Sequence, residues 1–178
     1  AERSLERLLV CSALGHLYKV DQASASQRRD YPVWEYGWKP IHLAERGHER
    51  HERWLNAIAE IAKQADGFVN ACDFDVEGSL IGYMILKYAG AGADAKARRM
   101  KFSTLTREEL QYAYEHMLPK LDFPMVNAGL CRHEVDWLYG INLSRALTES
   151  AKKSSGHYTN LSTGRVQGPT LRFVVERE

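Results

Sequence analysis

Along most of the chain the apolar residues recur with the period of a helix rather than that of a strand. Between Arg46 and Asp66, Trp54, Leu55, Ile58, Ile61, Ala62 and Ala65 line one face opposite a charged one, which predicts an amphipathic helix. Phe68 to Cys72 is a short apolar run entering Asp73, after which Leu80, Ile81, Met84, Ile85 and Tyr88 keep helical spacing up to Gly90. That is strand, acidic turn, helix. Arg99 to Phe102 predicts a further strand, and Thr106 with Glu109 three residues later is a capping box for a helix to Met117. Val126 to about Ser150 carries a long helical pattern. Lys152 to Asn160 is a polar loop, and Gly164 to Glu178 opens a further helix.

Earlier in the chain, Leu8 to Val10 predicts a short strand and Asp21 to Asp30 is polar connecting material. Tyr31 to Trp38 reads as loop or edge strand, because Pro32 removes a ladder donor. The order helix, strand, helix, strand, helix predicts an α/β fold with a mostly parallel sheet and helices on its faces. Leu118 to Pro124, with two prolines, marks a domain boundary, so that residues 1–120 form an α/β domain and 121–178 begin a mainly helical one.

The composition excludes some classes. With 44% hydrophobic and 26% charged residues, the chain of 178 residues is a folded domain or two rather than a disordered tail. No run approaches the ~18 apolar residues of a membrane helix, and no secretory signal marks the start. Cys11, Cys72 and Cys131 are too few and too far apart for a disulfide framework or a zinc clamp, which predicts a reducing, cytoplasmic setting. Net charge, 24 − 23 = +1, is undecided about partners, but its distribution is not even. Ala93 to Arg107 sets Lys96, Arg98, Arg99, Lys101 and Arg107 against Asp94, and Ala151 to Arg172 has Lys152, Lys153, Arg165 and Arg172 with no acid. Such patches suit a phosphate-tracking surface, and solvated faces produce them too.

The densest chemical signal is Asp73-Phe74-Asp75-Val76-Glu77-Gly78. Asp73 and Asp75, two apart on extended backbone, point to one side, and Glu77 follows at the mouth of the helix. The carboxyl end of a strand in a parallel sheet is where ligands sit. Three anions this close raise one another's proton affinity unless they share a cation, and a hard oxygen cage suits magnesium. The alternative is one helix cap and two solvated acids.

Asp-x-Asp-x-Glu-Gly after a hydrophobic strand resembles the acidic motif of the Toprim fold, found in topoisomerases, bacterial-type primases and some nucleases. Other stretches narrow the resemblance to the type IA DNA topoisomerases. Ser12 to Leu17 resembles their serine-x-x-glycine-histidine strand, and Lys101 to Thr106 resembles the strand-to-helix turn after the acidic motif. Val126-Asn127-Ala128 with Arg132, Asp136 and Gly140 is similar to the helix leading out of Toprim. Leu161 to Gln167 resembles a serine-alanine-glycine-arginine-valine-glutamine signature, followed by a similar helix at Arg172 to Glu178. Tyr31-Pro32-Val33-Trp34 and Trp38 are closer to the archaeal and topoisomerase III-like branch. The resemblance implies a magnesium-dependent, monomeric, nucleoid-associated isomerase that relaxes negatively supercoiled DNA. It would cut one strand through a tyrosine that stays bonded to the 5′-phosphate, pass the other strand and reseal. By position, Asp73, Asp75 and Glu77 would be catalytic and hold magnesium, while Arg132, Arg165, Gln167 and Arg172 would contact the single strand. Arg132 and Asp136, four apart, equally suit a surface ion pair, and Gly164 with Arg165 a helix start with a solvated side chain.

There are departures. The family's first-strand glutamate and lysine have no counterpart before Cys11, Glu2 and Glu6 being inadequate substitutes, and none of the nine tyrosines stands in the tyrosine-proline-arginine-threonine context of the nucleophile. The chain therefore reads as a fragment, inactive alone and missing the first Toprim strand. Rival readings are the topoisomerase half of a reverse gyrase, a Toprim primase or nuclease, and a metal-free DNA-binding module. His48 and His51 imitate a zinc-protease helix but stand three apart rather than four, among alternating charges that read as a solvated face. His16, in a matched motif, suits contact with a metal site or DNA as well as a core or edge position and is unassigned to catalysis; the four tryptophans suit stacking on bases, though such tryptophans are more often core.

Overall fold

The computed structural model describes residues 8–24 and 30–178; Glu2, Glu6 and residues 25–29 lie outside the described residues. The elements are β1 (Tyr18–Gln22), β2 (Tyr36–Pro40), α1 (Ile41–Ala44), α2 (Glu49–Ala62), β3 (Val69–Asn70), α3 (Val76–Met84), β4 (Arg98–Arg99), α4 (Arg107–Glu115), α5 (Phe123–Ser155) and α6 (Gln167–Val175). The fold is α/β, an α/β unit followed by a helical segment. β3 and β4 pair in parallel, Val69 opposite Arg98 and Asn70 opposite Arg99, and β1 pairs with β2.

By internal contacts the chain forms two compact units, one of Ala1–Lys19 with Pro40–Gly129 and one of Val20–Lys39 with Leu130–Glu178. The first contains the acidic motif. Its core gathers Leu17, Leu55, Leu80, Met84, Ala93, Ala97, Met100, Ala113, Leu121 and Val126, all buried. α3 lies close against β3 because Gly82 has no side chain: a Cβ there would stand 2.1 Å from Asn70 Nδ2. Gly78 is required in the same sense, since its Cβ would meet the carbonyl oxygen of Asp73 at 2.3 Å. A glycine after the three acids thus lets the helix start fold back onto the turn that carries them. α4 begins as its sequence predicts. Thr106 Oγ1 accepts from the Glu109 N–H at 3.4 Å, while Glu109 reaches past the cap to the Ser103 N–H at 2.6 Å and to the Thr104 hydroxyl.

In three places the regular structure is shorter or shifted. Leu8 to Val10 is not a strand: it is irregular and exposed, with no partner strand among the described residues. β1 starts only at Tyr18, after the serine-glycine-histidine stretch. β3 stops at Asn70 because the Asn70 side chain takes the Cys72 N–H at 3.0 Å, turning the chain out of the ladder. The strand predicted at Arg99 to Phe102 is Arg98–Arg99 instead, closed on its far side by a two-way bridge from Arg99 to Leu118 at 3.1 and 2.9 Å.

Arg99 itself is fully buried. The basic surface patch of residues 93–107 therefore does not include it. Its guanidinium donates to the carbonyl oxygens of Asn70 at 3.1 Å, Cys72 at 2.6 Å and Asp73 at 2.5 Å, and lies 3.4 Å from Ser79 Oγ. Burial pulls its pKa down, opposed by the nearby Cys72, Asp75, Asp122 and Asp73. A strand's period of two sends Arg98 outward and Arg99 inward, where main-chain carbonyls and the neutral side chains of Asn70 and Ser79 receive its N–H groups.

In the second unit, α5 holds irregular backbone through short side chains. Asn142 mimics a strand partner for Val33: its Oδ1 accepts the Val33 N–H at 2.6 Å and its Nδ2 donates to the Val33 carbonyl at 3.0 Å. Ser144 exchanges two hydrogen bonds with Thr163, at 3.0 and 2.9 Å, and Thr148 two with Leu161, at 3.1 and 3.0 Å.

Arg99→Met keeps the apolar stem and leaves the Cys72 and Asp73 carbonyls without their donor, while the Asn70 carbonyl retains the Met100 N–H at 3.0 Å, so an expected loss of about 3 kcal/mol follows. Urea denaturation followed by circular dichroism measures it, and Arg98→Met, at an exposed position, should change stability by less than about 0.5 kcal/mol.

Candidate active site

The acidic motif occupies the corner between β3 and α3. Asp75 is the N-cap of α3: it is extended, and its Oδ1 accepts the Gly78 N–H at 2.6 Å. One carboxylate oxygen is spent on the helix, and Oδ2 remains. Asp73 is exposed, and its carboxylate makes no hydrogen bond to a described residue, while its main-chain carbonyl is fixed by Arg99. Glu77, in the first turn of α3, is half-buried and lies 2.8 Å from His16 Nε2. The ring of Phe74 between the two aspartates has the Arg99 guanidinium 5.1 Å from its centroid and the Lys101 ammonium 5.0 Å away. The corner is therefore braced from beneath by a cation while its carboxylates face outward. Burial raises the Cys72 thiol, with Asp73 and Asp75 adding to that and Arg99 opposing it, so Cys72 is a core thiol rather than a nucleophile.

This donor set fits a hard divalent cation. It offers carboxylate oxygens at a helix mouth open to solvent, with the His16 imidazole beside Glu77.

Of the basic residues singled out from sequence, the structure brings Arg132 and Arg165 to one acid in the second unit. Arg165 holds Asp136 with its Nε 2.5 Å from Oδ1 and an N–H donated to Oδ2 at 2.9 Å; Arg132 Nε lies 4.0 Å from Oδ2. Arg165 follows directly on the backbone that Ser144 and Thr148 secure. Gln167 and Arg172 are exposed on α6, Arg172 paired with Glu176 at 2.6 Å, and neither joins the Asp136 group. The tryptophans divide: Trp34 is exposed, Trp38 donates to Glu134 at 3.0 Å, Trp54 donates to the Ser12 carbonyl at 2.6 Å, and Trp137 lies against Tyr36.

Residues 2–105 match the Toprim domain family and residues 120–178 a DNA topoisomerase family. The chain belongs to the type IA DNA topoisomerases. It is 48% identical to DNA topoisomerase 1 of Pyrococcus horikoshii across 99% of its own length, and 46% identical, over 99%, to that of Pyrococcus furiosus. To DNA topoisomerase 3 of Haemophilus influenzae it is 35% identical over 71%. The chain spans 25%, 16% and 20% of these relatives, and so is a fragment of such an enzyme. The Toprim domain is a metal-binding fold, in keeping with the donors above.

Two residues at this corner carry no site role in the sequence pattern. His16 stood in a matched motif, but nothing in the sequence says which residue sixty positions later it meets. Arg99 was hidden among basic neighbours, its one signal being that two adjacent arginines on a strand must face opposite ways.

Asp75→Ala removes the cap of α3 and should cost about 1 kcal/mol of stability, whereas Asp75→Asn keeps an acceptor and should cost no more than about 0.3 kcal/mol. Chemical denaturation of both variants tests whether the cap alone accounts for that residue's contribution to folding.

Proposed function

We propose that this chain is the metal-binding and DNA-contacting N-terminal part of a magnesium-dependent type IA topoisomerase, in which residues 1 to about 120 are the Toprim domain and 121–178 begin the DNA-gate domain. The observation that carries the reading is the braced corner, with Asp73 and Asp75 presenting free oxygens beside Glu77 while Arg99 fixes the backbone beneath them. In the whole protein a tyrosine oxygen outside these residues attacks a backbone phosphorus. A 5′-phosphotyrosine forms, the 3′-oxygen leaves, and the reverse displacement reseals the strand. Magnesium would supply charge neutralisation for the phosphate and the leaving oxygen. Asp73, Asp75 and Glu77 would hold it, with Asp75 also keeping its helix cap and His16 orienting Glu77.

Arg165, Arg132, Gln167 and Arg172 are proposed to follow the single strand entering the site. The Arg165–Asp136 pair is solvent-exposed and contributes at most about 1 kcal/mol, so exchanging the carboxylate for a phosphate is energetically accessible. The enzyme is proposed to act as a cytoplasmic, nucleoid-associated monomer on negatively supercoiled DNA. Among the described residues no helix is long and apolar enough to cross a membrane.

Titration calorimetry should show magnesium binding that is abolished in Asp73→Asn/Asp75→Asn, a pair chosen to preserve the cap. Unchanged binding would remove the metal assignment. Arg165→Ala should weaken single-stranded DNA binding and reduce the slope of log K against log salt by about 0.7, one phosphate contact on a single strand; an unaltered slope places Arg165 away from DNA.

A further inference from the structure

The first unit holds a second group of ligating side chains, apart from the acidic corner, at the start of α2. His48 occupies the N-cap position but makes no side-chain cap bond, so its imidazole is not committed to the helix. Its Nδ1 lies 3.2 Å from Nδ1 of His51, the two rings inclined by 60°. On the far side, His48 Nε2 lies 3.2 Å from Glu45 Oε2, and the other oxygen of Glu45 accepts from Lys19. Lys19, through its hydrogen bond and its charge, holds the Glu45 carboxyl below the usual carboxylate range, with a smaller contribution from His48.

These contacts form an ordered relay. A Glu45 carboxylate kept ionised by Lys19 accepts a proton-bearing Nε2, which fixes the tautomer of His48 and leaves the Nδ1 lone pair facing His51. Two ring nitrogens then share one gap. Either a proton on His51 Nδ1 bridges it, or a metal ion does. At metal–nitrogen distances of about 2.0–2.1 Å, nitrogens 3.2 Å apart subtend an angle of about 100° at the ion, close to the tetrahedral value. A carboxylate on the remote nitrogen of a ligating histidine is the usual outer support of such a site. Both imidazoles are partly exposed, which leaves the other coordination positions to water.

We propose that His48 and His51 form a two-imidazole site for a borderline divalent transition ion such as zinc, nickel or copper, with Glu45 and Lys19 as its outer support. Nitrogen ligands make it chemically distinct from the oxygen-lined corner at Asp73 and Asp75, which favours magnesium.

The test is calorimetric titration of the full chain with zinc in saturating magnesium, so that oxygen sites are already filled. One zinc equivalent is expected, weakened more than tenfold in His51→Ala and in His48→Ala and about tenfold in Glu45→Gln, with His116→Ala unchanged. Absence of zinc uptake, or uptake indifferent to both histidine substitutions, overturns the proposal. Copper bound to the unsubstituted chain gives a readout independent of any variant's folding. Electron paramagnetic resonance should show two nitrogen ligands, and one or none refutes the pairing.

Discussion

The first unit depends on a single buried cation. Among the described residues Arg99 has no carboxylate within hydrogen-bond distance; its positive charge is met by carbonyl dipoles from Asn70, Cys72 and Asp73. Desolvating a guanidinium is costly, and only a set of aligned acceptors offsets it. The same contacts that make the arginine tolerable fix the main chain from Asn70 to Asp73, which leads into the acids. Its Nε is buried without a partner among the described residues, so the cage is not fully satisfied. A braced turn presenting negative charge outward is a preorganised arrangement: the carboxylates do not have to be collected when a cation arrives.

The second unit solves a similar problem with neutral groups. Two stretches without regular structure, around Val33 and from Leu161 to Thr163, would leave main-chain polar groups unpaired. Asn142, Ser144 and Thr148 on α5 supply donors and acceptors in their place. Short polar side chains in mid-helix often bond their own backbone, as Asn142 does to the Leu138 carbonyl at 3.0 Å; here all three also reach outward and act as a substitute sheet edge.

Much of this was legible in the pattern of residues. The amphipathic α2, the strand-turn-helix of the acidic motif and the Thr106–Glu109 box follow from periodicity and capping chemistry, which are local. The α/β class followed from the order of elements. What sequence missed is non-local. Leu8 to Val10 has strand composition but, among the described residues, no neighbour to pair with, and composition alone does not make a ladder. Arg99 looked like its basic neighbours until its burial was known. The spacing of His48 and His51 argued against one familiar metal motif and was silent about whether the two rings face each other.

The hydroxyls of Ser144 and Thr148 bond main-chain atoms of residues 161 to 163, so what these contacts set is the phase of the helix. Each residue added to an α-helix rotates everything beyond it by about 100°. A one-residue insertion between Asp136 and Ser144 would turn the tethering hydroxyls away from the side of the helix on which the aspartate receives Arg165. The helical stretch between Asp136 and Ser144 therefore cannot change length without breaking one of the two sets of contacts.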